Sequence, residues 1–255
     1  MKAPLEPLHS PFGGSSAARV LHCPASVGLV AKVPNHSQPP SAFANRGTAL
    51  HTALTLLINN ARPLNALLGN NINNYVITRA DLANALLPTY AYIKQLLAPP
   101  KTEFYLEHRV AFPNLPGAFG TLDLIVRSGR TTHVIDFKFG TNIPVPARYQ
   151  NSSINPQLLF YAAAARHSLP NFFADVDKIN LTILPGAGIE SSTVVTTKEL
   201  DAFVIAYRTA CNEALSPVPR LNPGPWCRFC LAKLICPAHP ALSGRRRSSR
   251  GGSIV

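Results

Sequence analysis

The chain predicts an α+β (α/β) fold, one mixed central sheet flanked by helices. Three observations predict it. Segments of helical and strand pattern follow one another as helix, helix, three strands, helix, two strands, helix. Turn sequences divide the strands, and capping residues open the helices. No internal repeat interrupts this order. Residues 1–18, rich in Pro, Gly and Ser, read as a flexible arm. Residues 19–240 read as a single domain, and 241–255 as a disordered basic tail.

Taken in order, Arg46-Gly47-Thr48-Ala49-Leu50-His51 opens a helix that reaches about Asn59, after a polar loop from Pro34 to Ser41. An Asn-rich loop (59–75) leads to a second helix over about 79–97. Its start, Thr78-Arg79-Ala80-Asp81, resembles a capping box with Asp in place of Glu. Strands follow at Phe104–Phe112, Phe119–Arg127 and Thr132–Phe139, parted by Asn114-Leu115-Pro116-Gly117 and Ser128-Gly129-Arg130. A loop (140–154) ends at Asn155-Pro156, an N-cap followed by the first residue of a helix running to about His167. Strands at about 178–184 and 191–196 precede a helix over 197–214, opened by a capping box of Thr196 and Glu199.

The chain has 255 residues, 46% of them hydrophobic, enough for one large or two small domains with a real core. No apolar run approaches the roughly 20 residues of a membrane helix. Met1 to Gly14 carries Pro and charge where a signal peptide needs an apolar stretch. A cytoplasmic protein with no membrane attachment is therefore expected. Net charge is +12, from 24 Lys+Arg against 12 Asp+Glu. Arg245, Arg246, Arg247 and Arg250 lie in the tail, leaving +8 elsewhere. That balance suits a polyanionic partner, because Lys and Arg displace counterions condensed on a phosphate backbone.

With so few acids, two in the middle of apolar strands require an account. Asp123 lies in Gly120-Thr121-Leu122-Asp123, and Asp136 and Lys138 in Val134-Ile135-Asp136-Phe137-Lys138-Phe139. Strand alternation points Asp136 and Lys138 one way and Ile135, Phe137 and Phe139 the other. Such a D…DxK set can bind a divalent cation and hold an ammonium beside an attacking water. The same three residues also fit a structural Asp–Lys pair on a half-exposed strand. Gln157 and Tyr161, four apart, share a helix face just after the active strand. His51 lies one helical turn from Gly47, as a ligand or as an ordinary helix histidine.

Gly47-Thr48-Ala49-Leu50-His51, Gly120-Thr121-Leu122-Asp123, Asp136-Phe137-Lys138 and Gln157-Leu158-Leu159-Phe160-Tyr161 resemble, in order and spacing, the motifs of RecB-type exonucleases. Those enzymes belong to the PD-(D/E)xK superfamily, and the likeness looks closest to a phage-borne branch. It implies a restriction-endonuclease-like core in which His51, Asp123, Asp136 and the Phe137 carbonyl bind Mg²⁺ or Mn²⁺. Lys138 would stand beside the attacking water, with Gln157 and Tyr161 in support and Glu107 reaching a second metal. The third motif is Asp-Phe-Lys where Glu-x-Lys is commoner, and either supplies a carboxylate. The resemblance implies a DNA exonuclease, with DNA ends or single strands as its partner; whether a helicase or recombinase works alongside stays open. A catalytically silent module that only holds DNA ends or single strands is the other class, and the intact Asp123, Asp136 and Lys138 speak against it. A structural virion component finds no support in repeats, coiled coils or disulfides.

Five cysteines are present, three of them in Cys227-x2-Cys230-x5-Cys236. In a cytoplasmic protein that spacing points to metal or cluster ligation rather than disulfides. Cys23, in a Cys-Pro context, is the choice for a fourth ligand, ahead of His22 and His239. Cys211 reads as buried packing. Zinc sites usually gather ligands as two local pairs. One distant Cys with a C-terminal triplet resembles instead the [4Fe–4S] staple of several RecB-type nucleases, which joins the two chain ends. Zn²⁺ and free thiols stay open as alternatives.

Overall fold

Residues 10–34, 41–140, 145–186 and 190–238 are described by the structure, a computed structural model. The proposed basic tail and His239 lie outside them. Residues 10–18 correct the expected arm: they are packed. A 3₁₀ turn at Gly14–Ser16 runs into α1 (Ala17–His22), followed by α2 (Ser26–Ala31). Phe12, Ser16, Ala17 and Val20 are buried. Ser16 Oγ donates to Pro11 O (2.9 Å), and the Tyr207 hydroxyl donates to Phe12 O (3.0 Å), so buried backbone carbonyls are satisfied. The small residues that read as flexibility serve instead to bring the backbone close to its neighbours.

Ser41 caps α3 (Ala42–Ile58) by accepting from Ala44 N–H, which starts the helix four residues earlier than Arg46. The Asn-rich stretch holds a small hairpin, β1 (Asn71–Ile72) and β2 (Tyr75–Val76). Asn73 and Asn74 form its turn with φ of 51° and 61°, the double left-handed conformation that Asn tolerates and tight hairpins need. The next helix is interrupted. After α4 (Arg79–Asp81), a wide π-type turn at Leu82–Leu86 precedes α5 (Leu87–Leu97). Pro88 explains it: its ring would clash with the carbonyl four residues back and it has no N–H to donate, so the helix widens there. Both expected capping boxes are present, Thr78 with Asp81 and Thr196 with Glu199.

The central sheet has five strands in the order β3 (Glu103–Ala111), β4 (Phe119–Ser128), β5 (Thr131–Lys138), β6 (Lys178–Pro185) and β7 (Ser191–Val195). The β5–β6 pair is parallel and the others antiparallel, so the sheet is mixed. A parallel neighbour requires a crossover, supplied by α6 (Pro156–Ser168), which Asn155 caps as expected. α6 is buried almost all round, and its Ala162–Ala165 run lets it lie close between the sheet and α7 (Thr197–Ala214).

Helices cover both faces. Ile125, Val134 and Leu181 join α1, α6 and α7 in one half of the core. Leu124, Ile135, Phe137 and Phe139 join α3 and α5 in the other. Phe137 and Phe139 thus lie opposite the face that presents Asp136 to α6, as alternation predicts. No helix among the described residues is long and apolar enough to cross a membrane.

Candidate active site

The sheet splits at the two aspartates. β4 and β5 pair from Leu124↔Ile135 to Ser128↔Thr131, and no further. Beyond that point β4 stays with β3 (Leu122↔His108), while β5 stays with β6 (Asp136↔Ile183, Phe137↔Leu184). A second departure accompanies the split. Leu122 and Leu124 should share a face, yet they belong to opposite halves of the core, as do Val110 and Leu106 on β3. Between them Glu107 has a φ of +48°, which is strained for a residue with a Cβ and reverses the alternation. Asp123 fills the gap, its Oδ2 accepting from Phe137 N–H at 2.6 Å in place of a ladder bond.

α3 brings His51 over this gap because two glycines let it approach. A Cβ on Gly47 would stand 3.0 Å from the Gly140 Cα, and one on Gly140 would stand 3.0 Å from Phe43 O. Arg46 fastens the crossing by donating to Asp81 Oδ1 (2.8 Å) and to Phe139 O (2.5 Å). Asp81 also accepts from Tyr75 and Thr78, and these bonds hold its carboxyl below the usual range despite burial. One turn on from Gly47, His51 Nε2 lies 3.2 Å from Phe137 O. That carbonyl requires a proton on Nε2, so Nδ1 faces Glu107 Oε1 at 3.6 Å and Asp123 Oδ1 at 3.7 Å. Ligand atoms of His51, Glu107 and Asp123 all lie within 4.8 Å of one another.

Asp136 sits beside this trio, 2% exposed. Its Oδ1 accepts from Gln157 Nε2 at 3.0 Å, and its Oδ2 is 2.5 Å from Lys138 Nζ. The second contact is ionic without hydrogen-bond geometry, which leaves a buried carboxylate oxygen short of a donor. Tyr161 lies one turn behind Gln157, buried, its ring held where a Cβ on Gly14 would come within 2.8 Å and one on Gly120 within 2.9 Å. The Gly120 of the Gly-Thr-Leu-Asp run therefore makes room for the tyrosine that backs Gln157.

The electrostatics follow from setting two carboxylates, Asp123 and Asp136, in a largely buried position with the more exposed Glu107 beside them. Burial, then the charge of Asp136, pushes the Asp123 carboxyl up to about 7. Burial alone would lower His51, but Glu107 and Asp123, with Asp136 behind them, raise it above its ordinary value. Burial and Asp136 likewise raise Tyr161, which keeps its hydroxyl protonated. Excess carboxylate facing an imidazole nitrogen needs a proton or a cation to be stable. Carboxylates, one carbonyl and one imidazole fit a hard divalent ion, with Mn²⁺ favoured by the histidine. A groove of about 750 Å³, lined by His51, Glu107 and Lys138, opens these residues to solvent.

Cys23 lies where the two ends of the described chain meet. Ala25 N–H donates to Arg220 O (3.1 Å), and Asn222 donates from its backbone to Cys23 Sγ (3.4 Å) and from Nδ2 to His22 O (3.1 Å). Trp226 stacks on His22, with ring centroids 4.3 Å apart, and donates to Asn222 O. Cys227 Sγ accepts from Gly224 N–H (3.4 Å). The thiols of Cys23, Cys227, Cys230 and Cys236 are all free. No three of them among the described residues lie within 4.8 Å of one another, whereas zinc–sulfur bonds of about 2.3 Å place tetrahedral sulfurs about 3.8 Å apart. Cys211 is buried in the core, its thiol pushed up to about 12 by burial, as its packing role predicts.

A family model described as "Protein of unknown function (DUF2800)" matches residues 9–243. The chain belongs to that family. A solved structure titled "Crystal structure of SSO0001" is similar to this DUF2800 chain at 15% identity and a TM-score of 0.40, covering 89% of this chain and 85% of that one. In this DUF2800 chain His51, Glu107, Asp123, Asp136, Lys138 and Gln157 converge on one cleft, with Tyr161 behind them. Arg46 and Asp81 together fix α3 on the sheet, whereas the sequence showed the one only as a helix start and the other only as a capping residue. Arg46 adjoins the Gly-Thr run, and an Asp where a capping box usually carries Glu was the signal that it held more than a helix end.

Proposed function

We propose that this protein is a metal-dependent DNA nuclease of RecB type, acting as an exonuclease, with a structural [4Fe–4S] cluster on Cys23, Cys227, Cys230 and Cys236. One observation carries the reading: a sheet that splits between Asp123 and Asp136 and gathers His51, Glu107, Asp123 and the Phe137 carbonyl at the gap, with Lys138 beside them. A buried Asp–Lys pair kept only for structure would not need Glu107 strained or His51 aimed at it. The order of motifs, which resembles that of PD-(D/E)xK enzymes, supports the same conclusion.

His51, Glu107, Asp123, Asp136 and the Phe137 carbonyl would hold Mg²⁺ or Mn²⁺. Such an ion supplies Lewis acidity, making water a better nucleophile and offsetting charge that builds on the phosphate. Lys138 can hold and orient the attacking water, and its ammonium can share the negative charge of the transition state. Gln157 keeps the Asp136 carboxylate turned to the cleft, and Tyr161 keeps Gln157 in place. The net charge of +12 favours a polyanionic substrate.

Asp136→Asn and Lys138→Ala test the assignment. Each should lower cleavage by at least about a hundredfold, the scale of lost transition-state stabilisation near 3 kcal/mol. DNA binding should persist in both. Activity at the wild-type level in the two variants would sink the reading.

A further inference from the structure

A second cavity, of about 640 Å³, shares Lys138 and Gly140 with the groove that holds His51 and Glu107. Gln157, the partner of Asp136, lines it as well. Three aromatic rings from separate parts of the chain stand around it. Phe43 comes from the first turn of α3, Tyr149 from the segment between β5 and α6, and Phe229 from the turn between Cys227 and Cys230. All three are exposed, at 61%, 38% and 77%. A single exposed aromatic needs no account. Three of them converging on a cavity that touches the lysine and glutamine of the cleft do.

The chemistry next to the cleft identifies the occupant. A phosphodiester at Lys138 carries a sugar and a base on either side. Bases stack on aromatic faces without regard to sequence, because each has a π-face. A paired base inside a duplex has both faces covered by its neighbours, so only an unpaired base can enter between aromatic side chains. We infer that Phe43, Tyr149 and Phe229 form a stacking subsite for an unpaired base of the strand held at Lys138, and that this subsite makes the protein select single-stranded ends over blunt duplex. The inference rests on the nuclease reading above and adds its substrate preference. Because Phe229 lies inside the Cys227–Cys230 turn, the subsite also depends on the conformation of the cysteine segment.

The test measures binding of the full chain, purified without oxygen and without added divalent cation, to a fluorescent oligothymidylate and to a blunt duplex of the same length. Phe43→Ala, Tyr149→Ala and Phe229→Ala should each weaken single-strand binding by about tenfold, the scale of one lost base stack, and leave duplex binding unchanged. Tyr149→Phe should bind as the wild type does. In strands carrying one abasic site each, a single position should bind the wild type as weakly as an intact strand binds the alanine variants. The inference is overturned if the alanine variants hold single strands as tightly as the wild type, or if they lose both substrates equally. Adding Mn²⁺ to the wild type with the same strands separates the two claims. Cleavage with aromatic variants that bind normally refutes the subsite alone. Aromatic-dependent binding without cleavage upholds the subsite and refutes the nuclease reading.

Discussion

Phe137 N–H and His51 favour a charged Asp123, while burial and the neighbouring Asp136 favour a neutral one. Burial and Asp136 prevail, and the carboxyl titrates near 7. A cation binding there must displace that proton. Mn²⁺ affinity should therefore rise as pH climbs from 6 towards 8, by up to about tenfold per unit below the titration point and flattening above it. The raised His51 adds to the same trend, since its proton also competes with the ion. Calorimetric titration across that range checks it, and a flat or falling affinity would contradict the placement of Asp123 as a ligand. Asp123, Asp136, Lys138, Gln157 and His51 were legible in the sequence because charge in an apolar strand, or at helical spacing beside a glycine, is a conspicuous signal. The strain at Glu107 was not, since nothing in a Glu predicts a positive φ; only the split of the sheet around it does.

At the scale of elements, the candidate site depends on how closely α3 crosses the end of β5. Gly47→Ala would gain about 1 kcal/mol of helix propensity and lose a comparable amount where its Cβ meets Gly140 at 3.0 Å. Stability should change little. Relief of the contact, however, moves α3 and with it His51, and misplacement of a fraction of an ångström costs catalysis, about tenfold or more. A variant with unchanged melting temperature and unchanged turnover would show that the close approach serves no purpose in the site. The five strands were readable from their alternation and turn sequences, and α6 and α7 from their caps. The β1–β2 hairpin was missed because an Asn-rich stretch reads as loop, although Asn-Asn is itself a tight-turn signal. The widened turn at Leu82–Leu86 was overlooked at Pro88, where a continuous helix could not have held.

At the scale of the molecule, the two ends of the described chain meet against each other. Tyr207 holds Phe12, and the segment from Arg220 to Trp226 lies along α1 and α2 at Cys23. This packing needs no cluster, and the compositional reading of residues 10–18 as loose did not survive. Protein purified without oxygen should be brown, with about four irons per chain. Cys23→Ser and Cys227→Ser should bleach it and lower its melting temperature, while Cys211→Ser should keep the colour. A Cys23→Ser protein with unchanged metal content would refute the closure, and a colourless protein holding one zinc would refute its chemistry. The central claim is tested most directly by one assay, digestion of end-labelled linear single-stranded DNA and of circular single-stranded DNA by the anaerobic protein with Mn²⁺. The account predicts that linear DNA is degraded from its ends and circular DNA is spared. Linear DNA left intact under those conditions would contradict it.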